Sequence, residues 1–239
     1  MIRCITFDLD DTLWAVDPVI KHANQSMFDW LEQYAPEFTR CFQLQDLMHL
    51  REKVLEQEPG IAYSVTRIRI AQLKYGMVQA GYSGDILEDL TQKAFEVFLH
   101  ARQQVEFFEH AREMLTELKQ QGYILGALTN GNADIHKVGL SDLIDFQFKA
   151  DDVGQMKPHP QMFEDMLEHC ALRPEQVIHV GDNPQHDIEG AAAAGLWTIW
   201  VNLKGEASFP TASKEVTCLS EIVAKVEEIK QAAVKKVVL

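Results

Sequence analysis

The chain has 239 residues, of which 46% are hydrophobic and 24% are charged, and its formal net charge is −14. This composition is that of an ordinary globular protein, and the negative charge argues against nucleic acid or an anionic membrane as a partner held by a general electrostatic field. No apolar run approaches the ~20 residues of a membrane-spanning helix. A strand that starts at Ile2 leaves no place for a signal peptide. The four cysteines form no Cys-x-x-Cys pair, which favours free thiols in the cytoplasm.

The first predicted element is a buried strand over residues 2–7, and three carboxylates follow it: Asp8, Asp10 and Asp11. Alternation along a strand would put Asp8 and Asp10 on one face and Asp11 on the other. Carboxylates this close repel each other, so an oxygen-preferring divalent cation is the simplest compensating charge. A single Asp at a strand end usually caps a turn or helix, but three carboxylates within four positions favour a functional site.

A long helical segment follows, because the next convincing strand starts only at Tyr123. Apolar residues recur there at steps of three and four in four sets, with proline and glycine between the sets, and Pro36 is interpreted as one of these breakers. We predict a bundle of four helices over residues 16–104. It is inserted into an α/β core made of residues 1–15 and 105–239.

Strands and helices alternate in the second half of the chain. Strands are predicted at residues 123–129, 146–150, 177–180 and 197–201, and helices at residues 111–118, 162–170, 188–195 and 222–233. This alternation predicts an α/β fold with a doubly wound parallel sheet. Ligands of such sheets bind beyond the carboxyl ends of the strands, so polar residues at those ends are the candidates for function.

Two candidates follow from this rule in the middle of the chain. Thr129 ends its strand before Asn130 and Gly131, so its hydroxyl and the N–H groups of the turn are suited to phosphoryl oxygens; an ordinary turn is the alternative. Lys157 precedes Pro158, which keeps it extended and outside the following helix. Its ammonium either reaches a site or is a solvated surface charge.

The last candidate segment is Gly181-Asp182-Asn-Pro-Gln-His-Asp187. Asp182 directly follows a buried strand, as Asp8 does. Asp187 lies at the start of the next helix, where an acid can cap the helix, support the residues that bind a ligand, or do both.

Three further polar residues have no assigned role in the predicted site. His179 lies inside a strand and is interpreted as a core histidine rather than a ligand. Arg67 and Arg69 belong to the third predicted helix of the bundle. They either meet an anionic substrate or lie on a solvated helix face.

The order Asp-x-Asp-x-Thr, Thr, Lys-Pro, Gly-Asp-x-x-x-x-Asp resembles the haloacid dehalogenase (HAD) superfamily over the whole core, and the helical insertion resembles the cap of its first subfamily. This resemblance implies a HAD-like Rossmannoid core. It also implies that Asp8 is the nucleophile and Asp10 the acid and base. Thr129, Asn130 and Lys157 would then hold the substrate's phosphoryl group.

The resemblance also implies a magnesium site. The Asp8 and Asp182 carboxylates and the Asp10 backbone carbonyl would be the ligands, with Asp187 as support for the metal. These assignments fit a carboxylate nucleophile that forms an aspartyl-phosphate and so divides hydrolysis into two easier steps. The expected partner is a small phosphorylated metabolite.

A narrower resemblance concerns the substrate. The segments at residues 7–13, 50–67 and 129–140 are similar to bacterial phosphatases of flavin mononucleotide (FMN). That similarity implies hydrolysis of FMN to riboflavin. A phosphomutase, a haloacid dehalogenase and a catalytically silent binding protein remain alternatives on the same scaffold; a dehalogenase needs neither a metal nor the acid at Asp10.

Overall fold

The computed structural model describes residues 1–207 and 209–237. They form two compact units, of which one contains Met1–Ala15 with Glu106–Leu239 and the other Val16–Val105. They are called the core unit and the helical unit below. Among the described residues, no helix is long and apolar enough to cross a membrane.

The helical unit consists of five α-helices: α1 (Val16–Tyr34), α2 (Pro36–Cys41), α3 (Leu47–Gln57), α4 (Val65–Gln79) and α5 (Gly84–Arg102). Helix α1 packs along α5, and α4 packs against both α5 and α3. Their apolar stripes meet in one core that includes Met27, Leu31, Phe38 and Ala94. The sequence predicted four helices and missed the short α2, because Pro36 was interpreted as a breaker but is the first residue of this helix. Proline is tolerated in a first turn, where its missing N–H is not needed.

The core unit is built on a six-stranded parallel sheet. The strands are β1 (Cys4–Phe7), β2 (Ile124–Thr129), β3 (Phe146–Lys149), β4 (Val177–Gly181), β5 (Trp197–Val201) and β6 (Lys214–Val216). Their spatial order is β3-β2-β1-β4-β5-β6, so β1 lies between β2 and β4 where the order reverses. The carboxyl ends of these three strands therefore meet at the ligand-binding edge of the sheet. The predicted doubly wound parallel α/β fold is confirmed.

The helices of the core unit are α6 (Ala111–Gln120), α7 (Ala150–Val153), α8 (Gln161–Cys170), α9 (Gly190–Ala193) and α10 (Ile222–Val237). The sequence predicted one helix over residues 188–195. The structure instead has a π-helical segment, Pro184–Glu189, directly before α9. Asn183 caps it by accepting hydrogen bonds from the N–H groups of Gln185 and His186. Such wide turns recur at functional sites, and this one carries Asp187.

Candidate active site

The site begins where β1 ends. Asp8 is the first residue after the strand, and its N–H donates to the carbonyl of Val180 at 2.9 Å, which continues the contact with β4 by one residue. Thr129 is the last residue of β2, and Asp182 directly follows β4. The three side chains that the sequence placed at strand ends therefore lie at one edge of the sheet. Asp8 is buried, with 8% of its surface exposed.

Lys157 is not a surface residue, because only 1% of it is exposed. Its Nζ lies 2.9 Å from Oδ1 of Asp8, 2.6 Å from Oδ1 of Asp187 and 2.5 Å from the carbonyl oxygen of Leu128. Burial alone would lower the pKa of Lys157, but the charges of Asp187 and Asp8 outweigh it and raise the pKa. The side chain is therefore an ammonium group that compensates two carboxylates.

Asn130 positions the backbone of Lys157. Its Oδ1 accepts from the Lys157 N–H at 2.7 Å, and its Nδ2 donates to the Lys157 carbonyl at 2.9 Å. The Lys157–Pro158 peptide is cis. Since both polar atoms of the amide are engaged, Asn130 joins the turn after β2 to the lysine segment.

Thr129 has a different arrangement. Its hydroxyl oxygen accepts a hydrogen bond from the N–H of Gly131 at 2.9 Å, and the side chain is almost fully buried. An oxygen that accepts from the backbone keeps its own O–H to donate. Thr129 can therefore supply one donor to an oxyanion beside Asp8.

Three carboxylates of the site form a cluster that suits a cation. Oxygen atoms of Asp8, Asp182 and Asp187 all lie within 4.8 Å of one another. Burial raises the pKa of Asp8 well above its ordinary value, and Asp187 and Asp182 add to this effect. Burial also raises the pKa of Asp182 to about 7, with contributions from Asp187 and Asp11. An all-oxygen set is what Mg²⁺ or another hard cation prefers, and such a charge would favour the ionised carboxylates.

Asp187 supports this cluster rather than facing an open space. Its Oδ1 contacts Lys157 and also lies 3.2 Å from Nε2 of His179, while its Oδ2 accepts from the N–H of Asn183 at 3.0 Å. Gly181 allows the Asp187 side chain to lie against the end of β4, because a Cβ at position 181 would lie 2.3 Å from Cγ of Asp187. Both oxygens of Asp187 are thus committed to groups of the protein.

Asp10 lies outside the cluster of three carboxylates. β1 ends at Phe7 and the chain turns at Asp11, whose φ is +60°, so Asp8 and Asp10 both follow the strand instead of lying on one of its faces. The Asp10 carboxylate accepts a hydrogen bond from Nε1 of Trp14 at 2.8 Å. Trp14 is fully buried and packs edge-on against Phe107, with 5.6 Å between ring centroids. The indole therefore fixes where the Asp10 carboxyl lies.

Several supporting residues received no role from the sequence. The hydroxyl of Thr12 lies 3.4 Å from a carboxylate oxygen of both Asp8 and Asp182, and it accepts from the Asp182 N–H at 3.0 Å. Nε1 of Trp200 donates to the backbone carbonyl of Asp182 at 2.8 Å. Thr12 was visible as the last residue of Asp-x-Asp-x-Thr. Trp200 had no local signal, since it lies in another strand.

Comparisons with known proteins agree on one family. Residues 2–195 match the sequence model of the haloacid dehalogenase-like hydrolases. The chain is 32% identical over 200 residues to 5-amino-6-(5-phospho-D-ribitylamino)uracil phosphatase YigB of Escherichia coli (strain K12), a match that covers 84% of this chain and 83% of YigB. It is also 32% identical to phosphoserine phosphatase of Thermus thermophilus, over 51% of each chain.

A solved structure is similar over nearly the whole chain. The crystal structure of a 2-haloacid dehalogenase from Pseudomonas syringae pv. Tomato DC3000 superimposes with a TM-score of 0.89 at 35% identity, covering 95% of this chain and 99% of that one. Relatives of similar identity thus carry the names of two different reactions. The choice between phosphate ester hydrolysis and dehalogenation has to come from the site.

Proposed function

The chain belongs to the haloacid dehalogenase-like hydrolases, and from its site we propose that it is a magnesium-dependent phosphatase of small phosphomonoesters. The observation that carries the proposal is the cluster of Asp8, Asp182 and Asp187, whose oxygens lie within 4.8 Å of one another. Displacement of halide by a carboxylate needs no such cation site. Phosphoryl transfer is helped by one, because negative charge on the phosphoryl oxygens has to be offset.

Asp8 is the nucleophile in this proposal. A carboxylate oxygen attacks phosphorus, the bond from phosphorus to the ester oxygen breaks, and an aspartyl-phosphate forms. Lys157, 2.9 Å from Asp8, offsets charge on the phosphoryl oxygens. The hydroxyl of Thr129 donates a further hydrogen bond to the same group, and Asn130 holds the lysine segment in place.

Asp10 is the acid and then the base. Its carboxyl donates a proton to the leaving ester oxygen, and the resulting carboxylate takes a proton from the water that attacks the aspartyl-phosphate. Phosphate leaves and Asp8 is restored. The bond from Trp14, 2.8 Å long, holds the carboxyl in one orientation for both steps.

The residues fit Mg²⁺ by their chemistry. The Asp8 and Asp182 carboxylates and the Asp10 backbone carbonyl would hold the ion, and Asp187 would support them through Lys157 and the Asn183 N–H. When bound, Mg²⁺ would offset the charge of the phosphoryl oxygens and orient the ester for in-line attack.

The name of the E. coli relative narrows the proposed substrate. YigB is named for a 5-phospho-D-ribitylamino compound, and FMN carries the same kind of phosphorylated ribityl chain on a nitrogen heterocycle. We therefore propose a ribityl phosphate of this kind as the substrate, with both the uracil derivative and FMN as test compounds. The sequence motifs that contain Asp8, Thr129, Lys157 and Asp182 handle the phosphoryl group alone, so other phosphomonoesters should also react.

Dehalogenation is the second candidate, because the P. syringae protein is 35% identical over nearly the full chain. In that reaction Asp8 would displace halide from carbon, and the leaving halide would need no proton from Asp10. The cluster with Asp182 and the placement of Asp10 by Trp14 both favour the phosphatase.

One experiment separates the two candidates. The full chain is incubated with p-nitrophenyl phosphate and with a 2-chlorocarboxylic acid, each with magnesium and after chelation, and release of p-nitrophenol and chloride is measured. The phosphatase proposal expects magnesium-dependent release of p-nitrophenol and no chloride. Chloride release that survives chelation, with no phosphatase activity, would replace it with the dehalogenase. No turnover of either compound, nor of the ribityl phosphates, would contradict both.

A further inference from the structure

Arg69 in helix α4 is a cation in an unusual setting. Its Nη1 is buried and has no hydrogen-bond partner among the described residues. Its guanidinium lies over the ring of Phe98, with Cζ 4.4 Å from the ring centroid. Of the two alternatives that the sequence left open, a solvated helix face does not describe the half-buried Arg69, whereas the neighbouring Arg67 is exposed.

The charge around Arg69 makes the missing partner more significant. Among the described residues, no carboxylate forms an ion pair with it. The charged neighbour that acts on it is another cation, Arg51 of the adjacent helix α3. Burial lowers the pKa of Arg69 to about 10, and the Arg51 charge contributes to this shift. The group still carries its full charge near neutral pH.

Such an arrangement is costly unless something compensates it. Charged side chains are rarely buried without a partner, and two nearby guanidinium groups repel each other. The chain has 36 acidic and 22 basic residues, so carboxylates are abundant, yet none is paired with Arg69 in the described part of the chain. The ring of Phe98 compensates one face of the guanidinium by a cation–π contact. The N–H groups at its edge are left to bind an anion from outside.

We propose that Arg69, with Arg51 beside it and Phe98 beneath it, forms a binding site for a carboxylate or phosphate group. The planar fork of arginine matches both groups by paired hydrogen bonds, and stacking on an aromatic ring fixes its orientation. All three residues belong to the helical unit, so this site shares no residue with the Asp8 cluster.

The anion is a free carboxylate or phosphate ion. The measurement that tests the site is independent of catalysis.

The measurement is thermal unfolding of the full chain, kept free of metal by a chelator, against inorganic phosphate or sodium chloride at matched ionic strength. Wild type is compared with Arg69→Met, Arg69→Lys and Arg67→Met. Phosphate should raise the midpoint of wild type and Arg67→Met by several degrees more than that of Arg69→Met, with Arg69→Lys between them. The Asp8 site is unchanged in every variant, so its own response to phosphate cancels in the comparison.

The same series carries a second test in the absence of phosphate. Methionine removes the uncompensated charge and keeps a long apolar side chain over Phe98, so the midpoint of Arg69→Met should equal or exceed that of wild type. A lower midpoint would mean that Arg69 has a partner within the protein and would overturn the proposal. An equal phosphate response in wild type and both Arg69 variants would also overturn it.

Discussion

Nε2 of His179 lies 3.2 Å from Oδ1 of Asp187, the same oxygen that contacts Lys157. On the other side of the ring, Nδ1 lies 2.9 Å from the hydroxyl of Thr6. Burial lowers the pKa of His179. Burial alone would raise the pKa of Asp187, but Lys157 and His179 outweigh it and lower the pKa. A neutral imidazole thus donates from Nε2 to the Asp187 carboxylate and accepts at Nδ1 from the Thr6 hydroxyl. Because Lys157 contacts both Asp187 and Asp8, these buried polar groups connect Thr6 to Asp8.

The first prediction is that His179 positions the catalytic lysine through Asp187. In His179→Leu, Asp187 loses one donor and Lys157 is less firmly placed, so kcat should fall about tenfold with little change in KM, the effect of one hydrogen bond to a charged group. His179→Gln places an amide donor near the former Nε2 and should recover most of kcat. A Gln variant no better than Leu at equal stability would mean that the histidine only fills space.

The second prediction concerns the proton donor. Trp14→Phe keeps an aromatic ring against Phe107 but removes the N–H that holds Asp10. We expect kcat to fall by about tenfold, a part of the 10²–10⁴ that general acid–base catalysis contributes. Trp30→Phe, in the helical unit, is the control and should leave kcat unchanged. Equal kcat in both variants would show that the indole bond does not matter for catalysis.

The third prediction concerns the buried charges. Lys157→Met leaves Asp8 and Asp187 without their cation, which should abolish activity and lower the free energy of unfolding by about 3–5 kcal/mol. The exposed pair of Lys119 with Asp145 is the control, and Lys119→Met should cost about 1 kcal/mol or less. Denaturant unfolding measures both values. The deficit of Lys157→Met should shrink as pH falls, because a proton on either carboxylate removes an unpaired charge; a deficit that grows would contradict the assigned charges.

The fourth prediction uses a glycine that the site requires. In Gly181→Ala the new methyl group would meet Asp187 at 2.3 Å, so the carboxylate has to move. Overpacking of this kind costs about 1–3 kcal/mol of stability, and activity should fall with it because Lys157 loses its partner. Gly60→Ala is the matched control, since a Cβ there meets nothing within 4 Å. Full activity in Gly181→Ala would mean that Asp187 does not need its present position.

The sequence predicted the strand ends because their signals are local. Apolar runs that stop at an Asp or Thr located β1, β2 and β4, and parallel topology then brought Asp8, Thr129 and Asp182 together. Edge strand β6 was missed, because Lys214–Val216 is short and polar and carries no hydrophobic pattern.

The supporting contacts were not predictable in the same way. His179 looked like any alternating strand residue, and its role depends on a turn that returns Asp187 to the end of β4. Arg69 lies two positions from Arg67, yet the first stacks on Phe98 with its Nη1 buried and the second is exposed. Their difference depends on how α4 packs on α5, which the charge pattern does not encode.

The most direct measurement is the capture of phosphate on Asp8. The full chain is mixed with magnesium and a ribityl phosphate that is radiolabelled in its phosphate group. The reaction is quenched in acid during turnover, the protein is digested, and the labelled peptide is identified. We expect label on the peptide that contains Asp8, release of that label by alkali, and no label in Asp8→Asn, which should fold normally and be inactive. Rapid turnover with no labelled protein, or normal turnover by Asp8→Asn, would contradict the assignment of Asp8 as the nucleophile of a phosphatase.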